Sequence, residues 1–485
     1  MDSNEFRKQG HALVEWIANY LETSERYPVL PRVAPGEVRA SLPASAPEHG
    51  EPFERIFSDF ERVIVPALTH WNHPGFFAYF AITASEPGIL AEFLSAALNQ
   101  QAMLWRTSPA ATELEEVALG WLRQLLGLPD AFDGVIYDTA SVATLHGLAA
   151  AREAVVPGVR QSGLPGRADV GRVRVYCSEH AHSSVDKAVI LLGLGHESLQ
   201  RLPADRAFSL DLEALERAIA ADRAAGFLPM AVVATIGTTS MTSADPVEGI
   251  ARLCERERLW LHVDAAYAGV AAMLDDYRHH FAGWERADSI VVNPHKWLFT
   301  PFDLSAFYCR RMDVVRSAFS LVPEYLRTAE GASVRNLMDT GVQLGRRFRA
   351  LKLWMILRHF GAEGLRAALT EHIRLARLFA RWVDDDADFE RLAPVPFSVV
   401  CFRAKPSGAR LTDAELDALN DKLMSSVNAS GEIFLSHTRV NGVIALRLAI
   451  GNLRTAERHV ARAWELLRHH AAELGSGSDS SLNRL

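Results

Sequence analysis

Cysteine is scarce in this 485-residue chain: Cys177, Cys254, Cys309 and Cys401 lie far apart and form no Cys-x-x-Cys pair. That spacing argues against a zinc site or a disulfide scaffold and for a reducing compartment. No apolar run reaches the roughly 18 residues of a membrane span, so none is expected. Positive charge is not in surplus: 51 basic residues face 59 acidic ones, a net charge of −8. This leaves no footprint for nucleic acid or an anionic membrane. Walker and dinucleotide-binding glycine motifs are missing, so NTP or NAD binding has no sequence support. Internal repeats are also missing. The first residues, Met1-Asp2-Ser3-Asn4-Glu5, are acidic and lead into an amphipathic stretch instead of an apolar signal segment. A cytoplasmic location is the resulting expectation.

What is present is the composition of a soluble enzyme, with 49% hydrophobic and 23% charged residues. The length suits two or three domains. Residues 3–23 read as an amphipathic helix, with Phe6, Leu13, Ile17 and Leu21 on one face. A link rich in proline (Pro28, Pro31, Pro35, Pro43, Pro47) precedes a second expected helix from Glu51 to Leu68. From 86 to 350 short apolar runs alternate with helical stretches, the pattern of an α/β layered domain. The candidate strands are Gly134–Tyr137, Val173–Cys177, Met230–Ile236, Leu259–Val263, Ser289–Val292 and Ala306–Cys309. After 351 come helices (Leu351–Phe360, Leu365–Val383), strands (Ser398–Arg403, Val443–Ala449) and a last helix, Thr455–Leu474. The expected division is a helical segment over 1–85, a large α/β domain over 86–350, a small α+β domain over 351–474 and a flexible tail over 475–485.

Two charges stand in unusual company. Lys296 follows the apolar run Val291-Val292 within Asn293-Pro294-His295-Lys296-Trp297, and Asp264 closes Leu261-His262-Val263. A snorkelling lysine and a helix-capping aspartate are the plain alternatives. Together the pair fits pyridoxal 5′-phosphate (PLP) chemistry, the amine as Schiff-base nucleophile and the carboxylate on the pyridinium nitrogen. Ala265, Ala266 and Ala268-Gly269 are small, as a flat ring near the backbone requires. His182, just beyond the strand Val173–Cys177, is placed to stack on such a ring and exchange protons near neutral pH. His180 reads as structural. Thr139-Ala140-Ser141 offers hydroxyls and backbone N–H groups at a helix start, a phosphate site or an ordinary N-cap. Asp264, Asn293 to Lys296 and Thr238-Thr239 all lie just past strand ends, where open α/β sheets bind ligands.

These segments resemble the group II PLP-dependent amino-acid decarboxylases, and most closely the aromatic-L-amino-acid decarboxylases. The resemblance runs from Asn4-Glu5-Phe6-Arg7 to the helix near Trp464. It includes Thr69-His70-Trp71, Phe76-Phe77-Ala78-Tyr79-Phe80, Ser108-Pro109-Ala110, Thr112-Glu113-Leu114-Glu115, Ala181-His182-Ser183-Ser184, H-V-D-A-A-Y-A-G at 262–269, N-P-H-K-W at 293–297 and L-G-R-R-F-R at 344–349. It implies PLP fold type I, aspartate-aminotransferase-like: a central mixed, mostly parallel seven-stranded sheet with an N-terminal helical segment and a small C-terminal α+β domain. Lys296 resembles the Schiff-base lysine, Asp264 the pyridinium partner and His182 the ring-stacking histidine. Ala140, Ser141, Asn293 and His295 would hold the phosphate, with Thr239 and Ala266 near the ring. Trp71, Tyr79, Phe80 and Thr83 would line the substrate side. The family builds its site at a homodimer interface, with the front helices wrapped on the partner and Met103 reaching across. No metal, nucleic acid or membrane is implied.

Two departures stand out. Counting back from Leu344-Gly345-Arg346-Arg347, the family's proton-donating loop Tyr falls on Leu337, and leucine donates no proton. Tyr325, His182 or water would have to substitute. Related aldehyde synthases carry Phe there, so an oxidative aldehyde synthase is the near alternative. A PLP aminotransferase and a non-catalytic PLP-binding protein are further ones. The phosphate loop, Asp138-Thr139-Ala140-Ser141-Val142, is also less rich in Gly and Ser than is usual in the family. Gly345, where histidine decarboxylases and some phenol-preferring relatives carry Ser, favours large rings. DOPA, 5-hydroxytryptophan, tryptophan, tyrosine and phenylalanine are the expected substrates, giving amine and CO2.

Overall fold

A computed structural model describes residues 1–321 and 333–477. The chain packs as two compact units. One is built from Met1–Ala81, Leu375–Leu392 and the described residues from Val400 onward; the other from Ile82–Arg374 and Ala393–Val399.

The larger unit holds seven strands: β1 (Asp133–Tyr137), β2 (Val173–Ser178), β3 (Leu199–Leu202), β4 (Leu228–Thr235), β5 (Trp260–Asp264), β6 (Ser289–Val292) and β7 (Ser305–Cys309). Their order across the sheet is β1-β7-β6-β5-β4-β2-β3. β3, β2, β4, β5 and β6 are parallel neighbours, while β7 runs antiparallel to both β6 and β1. The mixed, mostly parallel seven-stranded sheet expected from the family resemblance is therefore present. Every residue of β5, β6 and β7 is buried, as near-continuous apolar runs demand when helices cover both faces. Helix Ala140–Val155 carries alanine at 140, 143, 149, 150 and 151, all buried, which lets it lie close on the sheet.

β7 reverses because the chain leaving β6 turns back at the same sheet end. Val292 pairs with Ala306, so β7 starts where β6 stops. β3 was not expected from the sequence. It is a short edge strand with two half-buried residues, Leu199 and Gln200, and an exposed Arg201, so neither an apolar run nor an alternation marks it.

The smaller unit contains a four-stranded sheet in the order β10-β11-β9-β8, formed by β8 (Phe389–Arg391), β9 (Val399–Ala404), β10 (Ser436–Val440) and β11 (Val443–Ala449). Helix Ser3–Glu22 is capped by Asp2, whose carboxylate accepts the N–H groups of Asn4 (2.8 Å) and Glu5 (2.9 Å). The helix expected over Glu51–Leu68 is broken. It runs over Phe53–Asp59, passes through a wide turn at Phe60–Ile64 and ends in a 3-10 turn at Val65–Ala67. Pro66 lacks the N–H that would carry the helix further. The two expected helices after residue 351 form one run, Ala350–Asp385, interrupted at Gly361 (φ 62°). The last helix, Glu457–Gly477, extends past the expected start of the tail at 475.

A buried ion pair ties helix Pro109–Leu125 to β1. Arg346 donates to Glu115 at 2.8 Å and to the Ile136 carbonyl at 2.7 Å, and Glu115 accepts the Ile136 N–H at 2.8 Å. Glu115 is 2% exposed, so removing its partner strands a charge out of water. Arg346→Ala is expected to cost about 3–5 kcal/mol, read as a lower denaturant midpoint for the cofactor-free chain.

Candidate active site

Strand register brings the candidate residues to one end of the sheet. Thr235, Asp264 and Val291 are cross-strand neighbours on β4, β5 and β6. Backbone bonds extend that register past the strands: Ile236 N–H reaches the Asp264 carbonyl at 2.9 Å, and Asn293 N–H reaches the Ala266 carbonyl at 3.0 Å. Adjacent strands lie about 4.8 Å apart, so the residues just beyond them share one small region.

Asp264 is 6% exposed, and one of its oxygens accepts the Ala266 N–H at 3.1 Å. Lys296 is half-buried in the one-turn helix Pro294–Trp297. Burial holds its amine below the usual lysine range, and the Asp264 carboxylate partly opposes that shift. The backbone around Lys296 is fixed from both sides. Trp297 stacks on Tyr267 with ring centroids 4.8 Å apart, and its indole N–H donates to His372 Nδ1 at 2.9 Å. Tyr267 follows Asp264 by three residues, so this stack braces the two segments that carry the opposite charges.

His182 precedes helix Ser184–Leu191, and its Nδ1 accepts the Ser184 N–H at 3.1 Å. The neutral ring therefore carries its proton on Nε2. Its side chain is exposed, yet partial desolvation lowers its pKa, against a smaller raising pull from Asp264. Thr239 sits in the turn after β4. There Gly237 (φ 88°) lets the backbone fold back, and the hydroxyls of Thr238 and Ser243 meet at 2.8 Å. A Cβ on Gly237 would lie 2.6 Å from the Ala268 methyl, so only glycine fits.

The phosphate candidates converge on the same end. Helix Ala140–Val155 starts three residues after β1, and its first intrahelical bond is Ala143 N–H to Thr139 O. The amides of Ala140 and Ser141 thus precede the helical ladder. Asn293 and His295 are 1% and 3% exposed. His295 Nδ1 accepts the Leu304 N–H at 2.9 Å, and burial drives its pKa down to about 3, so the ring is neutral with its proton on Nε2. That Nε2 lies 3.3 Å from Asn293 Nδ2. Two N–H donors side by side call for an acceptor. With the amides of Ala140 and Ser141 nearby in the fold, the donor set fits a phosphate, and the buried Asp264 carboxylate fits a protonated ring nitrogen.

The remaining expectations divide. Thr83 is fully buried, with a hydroxyl that finds no partner. Met103 packs against Leu104 and Met338. Gly345 is exposed, and a Cβ there would come 3.2 Å from Gln101 Nε2. Trp71, Tyr79 and Phe80 belong to the smaller unit, where the Trp71 and Tyr79 rings are 6.2 Å apart and Arg447 lies 5.5 Å over Phe80.

Leu337, the residue matched to the family's loop tyrosine, is enclosed. It is 1% exposed and packs in the sheet core with Val135, Tyr137 and Phe307. The segment carrying it is fastened: Asn336 Oδ1 accepts the Trp105 N–H at 3.1 Å, and Met338 N–H donates to the Met103 carbonyl at 3.1 Å. Leu337 thus lies in an anchored, buried turn. Tyr325, the other tyrosine considered as donor, lies outside the described residues. Sequence reasoning also passed over Leu304, Ser305 and Ser184, whose bonds orient His295, Asn293 and His182.

A half-buried lysine under the influence of a buried carboxylate, with a histidine and a pair of N–H donors at the strand ends of a fold-type I sheet, defines a PLP-dependent enzyme. The pyridoxal-dependent decarboxylase conserved domain matches residues 35–405, and the chain belongs to that family. It is 40% identical to phenylacetaldehyde synthase of Arabidopsis thaliana, covering 98% of this chain and 97% of the relative. It is 39% identical to tryptophan decarboxylase 2 of Oryza sativa subsp. japonica, covering 98% and 96%. The crystal structure of Oryza sativa TDC with PLP and tryptamine superposes with a TM-score of 0.94 at 37% identity, covering 98% of this chain and 99% of that one.

Leu337→Tyr adds bulk and a hydroxyl to a filled core. It is expected to destabilise the protein by about 1–3 kcal/mol while leaving the ratio of amine to aldehyde products unchanged. Thermal melts and product analysis on the same preparation check both halves.

Proposed function

We propose that this chain decarboxylates aromatic L-amino acids to the amine and CO2, as a cytoplasmic homodimer. The observation that carries the reading is the meeting of Lys296, Asp264, His182 and the Asn293–His295 donor pair at one sheet end, in a chain of the decarboxylase family. The aromatic substrate class rests on relatives named tryptophan and tyrosine decarboxylase at 39% identity over nearly the full chain.

Bound PLP would supply a conjugated ring as the electron sink for decarboxylation. The protein's part is electrostatic and positional. Lys296, its amine held below the ordinary range by burial, is assigned as the nucleophile that carries the cofactor. Asp264 would favour a proton on the ring nitrogen of bound PLP, and its carboxylate is already oriented by the Ala266 N–H. With Nδ1 committed to Ser184, His182 offers one exchangeable proton, on Nε2, for return to carbon. Phosphate binding is assigned to Ala140, Ser141, Asn293 and His295, and contact with the ring to Thr239 and Ala266. Aromatic recognition is assigned to Trp71, Tyr79, Phe80 and Thr83, with Met103 supplied by a second subunit. Helix Glu86–Leu98 supports a dimer: Leu90, Phe93, Leu94 and Leu98 are each 45–56% exposed, an apolar face that an assembly would cover.

A second reading is an oxidative aldehyde synthase, favoured by the 40% identity to a phenylacetaldehyde synthase. Product analysis in air, with PLP and separate aromatic L-amino acids, decides between them. Amine with CO2 and little peroxide is the expected result. Aldehyde with ammonia and peroxide would overturn it in favour of the synthase. Lys296→Ala is expected to abolish turnover, and borohydride should no longer fix the cofactor to the chain. Continued multiple turnover by this variant would remove the lysine from its assigned role.

A further inference from the structure

Among the described strands of the seven-stranded sheet, β7 alone presents its first residues, not its last, to the site end, because it runs antiparallel to β6 and β1. Its opening residue, Ser305, is fully buried and pairs in register with Tyr137, the last residue of β1. The Ser305 hydroxyl donates to Asn293 Oδ1 at 2.6 Å. One residue earlier, the Leu304 N–H donates to His295 Nδ1 at 2.9 Å.

These two bonds act on groups that have a choice of polarity. A carboxamide presents either its oxygen or its NH2, and a neutral imidazole presents either a lone pair or an N–H. A donor committed to Asn293 Oδ1 turns the amide so that Nδ2 faces His295. A donor committed to His295 Nδ1 puts the imidazole proton on Nε2. The outcome is the N–H pair at 3.3 Å, at the sheet end where helix Ala140–Val155 begins three residues after Tyr137, the register partner of Ser305. Had Asn293 turned the other way, its oxygen would accept the His295 Nε2–H, and the two groups would satisfy each other with nothing left for an anion.

We propose that Ser305 is a positioning residue for the cofactor phosphate: its hydroxyl selects the donor orientation of Asn293, so that Asn293 and His295 together recognise a phosphate dianion. This rests on the assignment of Asn293 and His295 to phosphate binding. Loss of Ser305 frees the amide to turn its oxygen toward the anion, replacing an attraction by a repulsion.

The test compares PLP with pyridoxal, which lacks the phosphate, as ligands of the full-length chain freed of cofactor. Dissociation constants come from absorbance and fluorescence titration. Ser305→Ala is expected to weaken PLP about tenfold, as loss of one charge-assisted hydrogen bond does, and to leave pyridoxal within about twofold. Inorganic phosphate should compete with PLP less well in the variant than in the wild type. Unchanged pyridoxal affinity also shows that the site is folded. Equal weakening of both ligands, or no weakening of either, overturns the inference. Asn293→Ala separates the two levels. If it discriminates against PLP while Ser305→Ala does not, the phosphate assignment stands and the role of Ser305 falls. If Asn293→Ala does not discriminate either, the phosphate assignment itself fails.

Discussion

A carboxylate shut away from water must have positive charge beside it, and the burial of Asp264 sets that demand for the whole site. The parallel register of β4, β5 and β6 leaves Asp264 at the sheet's end, flanked by backbone on both sides, with one oxygen already held by the Ala266 N–H. Lys296 meets only part of the demand. Its amine feels the field of Asp264, yet burial still pulls its pKa down. The two effects hold the lysine between a permanent ammonium and an indifferent neutral amine. A protonated pyridine nitrogen would meet what remains, while burial, opposed by Asp264, is what holds the lysine amine below its usual range.

The neighbouring side chains serve this arrangement by removing freedom. The Tyr267–Trp297 stack and the Trp297–His372 bond brace the backbone on which Lys296 stands. Ser184 fixes the tautomer of His182, and Leu304 fixes that of His295, in both cases through a main-chain N–H. A backbone donor cannot rotate away, so each imidazole is prepared before any ligand arrives. Preorganisation of this kind avoids a reorganisation cost at the moment of reaction.

Much of this was legible in the sequence, for a definite reason. A charged residue closing a fully apolar strand is rare, so Asp264 after Leu261-His262-Val263 and Lys296 after Val291-Val292 announced themselves. Central strands rich in valine and isoleucine were equally visible. β3 was not, because an edge strand reading Leu-Gln-Arg-Leu has neither an apolar run nor an alternating one. Ser305 passed unseen because a serine opening a strand is common, and its importance comes from a strand direction that composition does not encode. The break at Pro66 was written in the sequence and was overridden by the amphipathic pattern around it. Leu337 was placed by counting back from Leu344, a count that carries no information on the burial the structure shows there. Its apolar character, between Asn336 and Met338, pointed to the core.

The reversal of β7 leaves two adjacent positions under opposite kinds of sequence constraint. Leu304 contributes to His295 only through its main-chain N–H, so for that bond its side chain can drift freely, and proline alone is forbidden. Ser305 contributes through its side chain, fully enclosed, where a small hydroxyl donor has few substitutes. The Leu304 side chain is itself fully buried, so that position would look like an ordinary core residue although its amide orients His295. A search for functional residues by side-chain identity would find one half of this pair and pass over the other.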